Sequence, residues 1–459
     1  MSGWAAMIPA SAEGSARAAK RWGFAFGYRF FLLLLFGMVW LVPAFVDHRS
    51  VYATLAWDFL LITAWIVDLL SLPKPERLRL RRSWSAPLAL AVSSQATITI
   101  TNQSKTTLRI HAADELPSSL RSAPAELDIW VPARGEAEQA YSIQPRQRGT
   151  AIASGVYLRY EGKFRLAQRW ARAELRQELM VYPDLHQAKR QAVYLIRSWQ
   201  IALEKRFSRV RGAGKAFESL REYQDGDDFG DICWTATARR GKLVTRLYEM
   251  ERSQTIWVVL DTGRLMRTRI GALSKLDHAV NAALALAEVA LLTGDRVGLL
   301  AYARKVRQRV PAMRGSSHLR QFVESLAVVA EDEWEADHLG AASQLMQLQK
   351  RRSLVVWITE LAETAMTPEV VEASSKLMPR HLVVFVVIGQ PDLQAMAWQR
   401  PEDVRQMYQA AAAQEVIHRR ELLLARLRER GALATEVDSA KLAPLLVNSY
   451  LEIKQRSQL

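Results

Sequence analysis

The densest run of chemically able side chains lies between residues 217 and 251, FESLREYQDGDDFGDICWTATARRGKLVTRLYEME. Four aspartates, Asp225, Asp227, Asp228 and Asp231, crowd one turn, with Glu222 and Glu249 on either side. Carboxylates so close together suggest acid–base hydrolysis, which needs two of them about 5–10 Å apart in a cleft. They also suggest a calcium loop, but Phe229 stands at the third ligand position and Ala236 where the closing glutamate belongs. Arg221, Arg239, Arg240 and Arg246 flank the aspartates, and Trp234 lies among them. The same residues therefore also read as a salt-bridged structural knot around an aromatic anchor, or as a docking surface for a partner. In the knot reading, Asp231 caps a short helix through Ala236 and Ala238, Gly241 stops it, and Trp234 fills a core pocket.

Other chemistries fail on residue type. Gly212-Ala213-Gly214-Lys215-Ala216 lacks the hydroxyl that follows the lysine of a phosphate loop, and Arg209 holds the place of its upstream glycine. Cys233, the one cysteine, sits between Ile232 and Trp234 and reads as a small buried hydrophobe. A single cysteine excludes an internal disulfide and any metal site built on several thiolates. The eight histidines are scattered, and no nucleophile–base pair is evident.

The elements that carry this segment are of three kinds. Phe30 to Val46 is uncharged, and Val51 to Leu72 carries only Asp58 and Asp68; Asp47, His48, Arg49 and Ser50 join the two. Each run approaches the 20 or so apolar residues that a bilayer requires, so residues 22–72 are expected to form a two-helix membrane hairpin. Asp68 is expected to reach the headgroups, and Asp58 to face the other helix or the opposite interface. Arg17, Lys20 and Arg21 precede the hairpin and Lys74, Arg77, Arg79, Arg81 and Arg82 follow it, against Arg49 alone in the connection. That bias predicts an inner-membrane protein with two spans, both termini and all soluble parts being cytoplasmic. The net charge of +15 and pI near 10 call for an anionic partner. The basic residues are spread along the chain, so a lipid bilayer is expected and nucleic acid is not.

Residues 1–21 read as an N-terminal tail. Residues 73–182 alternate with period two between turn formers and predict a small antiparallel β-sandwich. Residues 183–254 connect it to an α/β domain at 255–459, where the apolar strands TIWVVL, RVGLLAYA, SLVVWI and LVVFVVI alternate with helices. That alternation predicts a mostly parallel sheet covered on both faces, with functional groups at the strand carboxyl ends. Those ends carry Asp261 with Thr262, Thr359 with Glu360, and Gly389 with Gln390.

Glu218, Arg221, Tyr223, Gly226, Asp227, Asp228, Trp234, Ala236, Ala238, Arg239, Gly241, Lys242, Leu243 and Glu249 resemble the signature of the DUF58 family of proteins of unknown function. The resemblance implies a membrane hairpin, a small β domain and a von Willebrand factor A-like domain. It implies a partner rather than a reaction: a MoxR-type AAA+ ATPase, for which this chain would be a membrane-anchored adaptor in chaperone-like assembly or activation of other proteins. The alternative is a hydrolase using the acidic turn at 225–231. On the adaptor reading the interaction residues are Arg221, Tyr223, Asp225, Asp227, Asp228, Asp231, Trp234, Arg239, Lys242 and Glu249. The von Willebrand likeness further implies a magnesium ion held by Asp261, Ser316 or Ser317, and Glu360. Gly263 and Leu265 stand where its two serine ligands belong, so that set is depleted.

Overall fold

The computed structural model describes residues 7–19, 23–41, 50–184, 216–223, 232–249, 254–361 and 368–455. The chain divides into two compact units, residues 1–184 and 185–459.

The first unit is built on one antiparallel sheet. Its strands are β1 (Ala12–Ala18), β2 (Phe24–Phe26), β3 (Leu78–Trp84), β4 (Leu88–Ala89), β5 (Ser94–Asn102), β6 (Leu108–Asp114), β7 (Ala125–Val131), β8 (Glu136–Ile143), β9 (Gly149–Glu161) and β10 (Ala167–Tyr182). They run in the order β7-β6-β9-β10-β1-β3-β5-β8, with β2 and β4 also on β10. Strand β1 joins the halves: Ala12–Ser15 pair with β3, and Ala16–Ala18 pair with β10. The expected sandwich is thus one curled sheet whose end strands, β7 and β8, come back together. Its inner face is lined by period-two residues such as Leu78 and Leu80 on β3 and Ile98 and Ile100 on β5. Arg82 lies on the same inward period and is fully buried, held by Asp114, by Tyr141 through Asp114, and by the carbonyl of Leu175 at 3.0 Å. Arg82 therefore leaves the basic cluster expected at the lipid surface, whereas Arg77, Arg79 and Arg81 remain exposed.

The predicted N-terminal tail needs correction. Residues 12–18 and 24–26 are strands of this sheet, although AEGSARA has no β-branched residue and one glycine. Pairing on both sides supplies what local propensity lacks. Between β2 and β3 lie α1 (Tyr28–Gly37), which tightens into a 3₁₀ turn at Met38–Leu41, and α2 (Ser50–Ser71). The second is long and apolar enough to cross a membrane; the first is shorter than the run Phe30–Val46 suggested. The predicted connection at 47–49 lies outside the described residues. The two helices pack together, Trp57 Nε1 donating to the Leu33 carbonyl at 3.0 Å.

In the second unit, β11 (Ala216–Glu222) and β12 (Val244–Glu249) form an antiparallel pair, with α3 (Trp234–Arg240) between them in sequence. The α/β sheet follows: β13 (Thr255–Asp261), the small hairpin β14 (Arg269–Ile270) and β15 (Leu273–Ser274), α4 (Lys275–Leu292), β16 (Arg296–Tyr302), β17 (Val306–Met313), α5 (Ser316–Val328) and α6 (His338–Leu348). It continues with β18 (Leu354–Thr359), α7 (Pro368–Leu377), β19 (Leu382–Gly389), α8 (Pro391–Trp398), α9 (Val404–Glu429), β20 (Leu433–Asp438) and α10 (Leu442–Gln455). The sheet order is β17-β16-β13-β18-β19-β20, parallel except for the edge strand β17. The centres of β13 (256–260), β18 (354–358) and β19 (383–388) are apolar and buried, as a sheet covered on both faces requires. Strand order reverses at β13, between β16 and β18. In open α/β sheets that crevice, at the carboxyl ends of the strands, is where ligands sit.

Candidate functional site

Two places gather the predicted residues: the signature segment and the carboxyl edge of the α/β sheet. In the signature, Asp225, Asp227, Asp228 and Asp231 lie outside the described residues, so the acidic turn stays a sequence reading; the cap position of the helix is Cys233, with no side-chain cap bond, and not Asp231 as expected. Arg221 and Glu249 occupy ladder positions on β11 and β12, near their opposite ends. Tyr223 N–H donates to the Leu243 carbonyl at 2.9 Å, extending that ladder. Helix α3 begins at Trp234 and stops at Gly241, whose φ of +67° is the left-handed conformation glycine accepts without strain. Arg239 and Arg240 lie in its last turn, where cations offset the helix dipole. Lys242 Nζ pairs with Glu222 at 3.2 Å, both exposed. Trp234 does not fill a core pocket: it is 65% exposed. Ile232, Cys233 and Val244 are buried in its place, so the apolar anchor of the segment is its neighbours and not its tryptophan.

At the sheet edge Asp261 is buried. Its Oδ1 accepts from the Gly263 N–H at 2.7 Å and its Oδ2 from Thr359 Oγ1 at 2.6 Å. Burial pushes its carboxyl above the usual carboxylate range, against the pull of these two donors. Glu360 is equally buried. Its Oε1 accepts from Arg420 Nη2 at 2.6 Å and from the Leu361 N–H at 3.0 Å, and its Oε2 from Lys275 Nζ at 2.5 Å. Arg420 reaches on from α9 to Glu436 on β20, also at 2.6 Å. Behind Asp261, Trp357 Nε1 donates to Tyr302 OH at 2.6 Å, which leaves the tyrosine proton for His338 Nδ1 at 2.8 Å. Burial lowers the His338 pKa, favouring the neutral ring this chain of donors needs.

This donor set does not fit magnesium, which wants six oxygens in near-octahedral geometry. Both oxygens of Asp261 and of Glu360 already accept hydrogen bonds, and Glu360 is neutralised by two buried cations. Gly263 cannot be restored to serine without crowding, because a Cβ there would lie 3.0 Å from Asp261 Oδ1 and 3.1 Å from the Ala336 nitrogen. Ser316 is at the wrong end. It begins α5 after β17, and Met313 pairs with Val297 near the amino end of β16, whereas Asp261 pairs with Tyr302 at the carboxyl end. Among the described residues no group of three or more His, Cys, Asp or Glu side chains could hold a metal ion.

The sheet thus brings together Asp261 and Glu360 of the predicted set, and adds Lys275, Arg420, Thr359, Tyr302 and His338. One signal was legible. Arg420, Leu423, Leu424 and Leu427 fall at i, i+3, i+4 and i+7 on α9 and are all buried, so the arginine interrupts a core stripe. A cation on such a stripe requires a buried carboxylate.

The fold defines a mixed α/β domain, preceded by an antiparallel β domain that carries an apolar helix pair. Residues 219–411 match the family described as "Protein of unknown function DUF58". Uncharacterized protein Rv1480 of Mycobacterium tuberculosis is 28% identical over 153 residues, 33% of this chain and 48% of that protein. Uncharacterized protein YeaD of Bacillus subtilis is 24% identical over 196 residues, 41% of this chain and 45% of that protein. The chain thus spans about half the length of the curated relatives it matches. Among solved structures, the conserved hypothetical protein BatB from Bacteroides thetaiotaomicron aligns with 44% of this chain and 100% of its own, at 14% identity and a TM-score of 0.29. An aerotolerance-related membrane protein from Bacteroides fragilis aligns with 44% of this chain and 99% of its own, at 15% identity and a TM-score of 0.30.

Proposed function

We propose that this chain is a membrane-anchored interaction protein that docks a MoxR-type AAA+ ATPase through its signature segment and serves the assembly or activation of other proteins. The observation that carries the docking reading is Trp234, 65% exposed at the head of a short helix whose far end presents Arg239, Arg240 and Lys242. Tryptophan and arginine are the side chains that most often dominate interfaces. The sheet-edge carboxylates, by contrast, are fully engaged inside the fold and offer neither a free acid nor a free base. The ATPase class comes from the family resemblance.

The anchoring reading rests on β1, β3 and the helices between them. Because β1 and β3 pair in one sheet, the chain enters and leaves the apolar segment from the same side. That return to the same side supports two crossings, and the basic flanks favour a cytoplasmic sheet.

The test titrates the detergent-solubilised full chain with the MoxR-type ATPase of the same organism. Losing an interface hot spot costs at least about 2 kcal/mol, so Trp234→Ala should weaken binding roughly thirtyfold with unchanged thermal stability. Arg239→Glu should act in the same direction. Wild-type affinity in both variants would remove this surface from the account.

A further inference from the structure

The membrane helices do not stand on a flexible stalk. Strand β2 pairs with β10, Phe26 opposite Ala167 and Phe24 opposite Arg169, and α1 starts two residues after Phe26. At the other end, Asp68 on the last turn of α2 is fully buried in the β9–β10 turn. Its carboxylate accepts from the backbone N–H groups of Phe164 at 3.2 Å, Leu166 at 2.9 Å and Ala167 at 3.0 Å. Gly162 permits the approach, since a Cβ there would lie 2.3 Å from the Asp68 carboxylate. Asp68 is thus satisfied inside the protein and does not reach for headgroups. Tyr160 OH donates to the Pro73 carbonyl at 2.8 Å and fixes the exit of the same helix.

Around this joint the surface is aromatic. Phe24, Phe26, Tyr28, Phe31, Phe164 and Trp170 are 40 to 71% exposed. Phe26 packs on Phe30 at 4.5 Å and on Trp65 at 4.6 Å between ring centres, so the sheet and the helices share one aromatic cluster. Phe164 and Leu166 line an apolar groove with Phe59, Leu60 and Val67 of α2. Exposed Arg29 and Lys163 adjoin Tyr28 and Phe164.

Helix length sets the level of this collar. At about 1.5 Å per residue, a hydrocarbon layer of about 30 Å counted from Ser50 ends roughly twenty residues on, near Leu70. The β9–β10 turn meets α2 before that point: Leu166 shares an apolar cluster with Leu61, and the Phe164 N–H donates to Asp68. We infer that the β domain is itself seated in the bilayer: the β9–β10 turn and β2 enter the headgroup layer with Phe164, Phe24 and Phe26 in contact with lipid. Aromatic rings belong at this depth, and the long basic side chains beside them can reach back to the phosphates. The occupant is lipid because the collar runs on through the groove at Phe164 and Leu166 into the exposed apolar face of α2. The inference rests on the membrane reading above.

It is tested in the full chain, with the buried Cys233 removed as Cys233→Ala and single cysteines introduced as Phe164→Cys, Phe59→Cys and Ile152→Cys. Ile152 is exposed near the other end of β9, nine residues and about 30 Å from Glu161. The Phe164 substitution spares the backbone N–H groups that hold Asp68. Each variant is spin-labelled and reconstituted in phosphatidylcholine vesicles containing phosphatidylglycerol. Relaxation by oxygen is then compared with relaxation by a water-soluble nickel complex. At 59 and 164 oxygen should dominate, with 164 the shallower, and at 152 nickel should dominate. If 164 behaves like 152 while 59 lies in lipid, the helices span and the collar is wrong. If 59 also behaves like 152, the membrane reading falls and takes the collar with it. If 164 is shielded from both reagents, a protein covers the collar and lipid does not.

Discussion

Lys275→Met is the sharpest perturbation of the sheet-edge cluster. The Lys275 and Glu360 side chains are each 1% exposed and meet at 2.5 Å. Removing one partner of a buried pair costs about 3–5 kcal/mol, because the other charge is left without compensation. Arg420 still holds Glu360 at 2.6 Å, so the lower end applies, about 3 kcal/mol. For a unit of this size each kcal/mol lowers Tm by about 2–4 °C, giving a drop of about 6–12 °C. The assay is differential scanning calorimetry of the full chain in detergent, following the transition of the α/β unit. The double variant Lys275→Met with Glu360→Gln should recover at least about 1 kcal/mol relative to the sum of the two singles, as expected of groups in contact. A loss below about 1 kcal/mol for Lys275→Met, or strict additivity in the double, would refute the claim that these cations neutralise the edge from within.

Two further outcomes follow from the same geometry. Because burial raises the Asp261 pKa, its contribution to stability is fully present below the unfolded value and declines as pH rises through the folded one. Asp261→Asn should therefore be no less stable than wild type at neutral pH, should flatten the stability profile between mildly acidic and neutral pH, and should leave the response to magnesium unchanged at zero; denaturation scans with and without magnesium check all three. In the β domain, Arg82→Met would leave Asp114 buried with Tyr141 alone, at a cost of about 3–5 kcal/mol, read as a lower urea midpoint for the first unit while the second is unmoved.

Periodicity made much of this fold legible. The apolar strands at 255–260, 353–358 and 382–388 could only be a covered sheet, and Gly294 and Gly431 closed the helices before them in the chain. Strands without local preference were not legible. AEGSARA at 12–18 is a strand only because β3 and β10 flank it, and those partners lie more than sixty residues away. The same long-range pairing turned an expected sandwich into a single curled sheet. At the site, Asp261 and Glu360 were visible as strand-end acids. Their partners were not, since Lys275 follows Ser274 at a helix start, where solvent is the usual neighbour, and only the fold turns it inward onto Glu360. Ser316 was misplaced for a related reason: a serine after a strand looks like a loop ligand until the antiparallel edge sends it to the other end of the sheet. Trp234 was read as an anchor on size alone, and Ile232 and Val244 proved to be the buried residues.

The central claim is that the signature segment is a docking surface for an AAA+ ATPase. Its most direct measurement is site-specific photocrosslinking: a benzoylphenylalanine in place of Trp234, irradiated in native membranes, with the adducts identified by mass spectrometry. The account predicts one dominant adduct, to a MoxR-type ATPase, that is lost when the label is moved to the exposed Leu292 on α4. Adducts confined to lipid or to this chain itself, or equal capture from both positions, would contradict it.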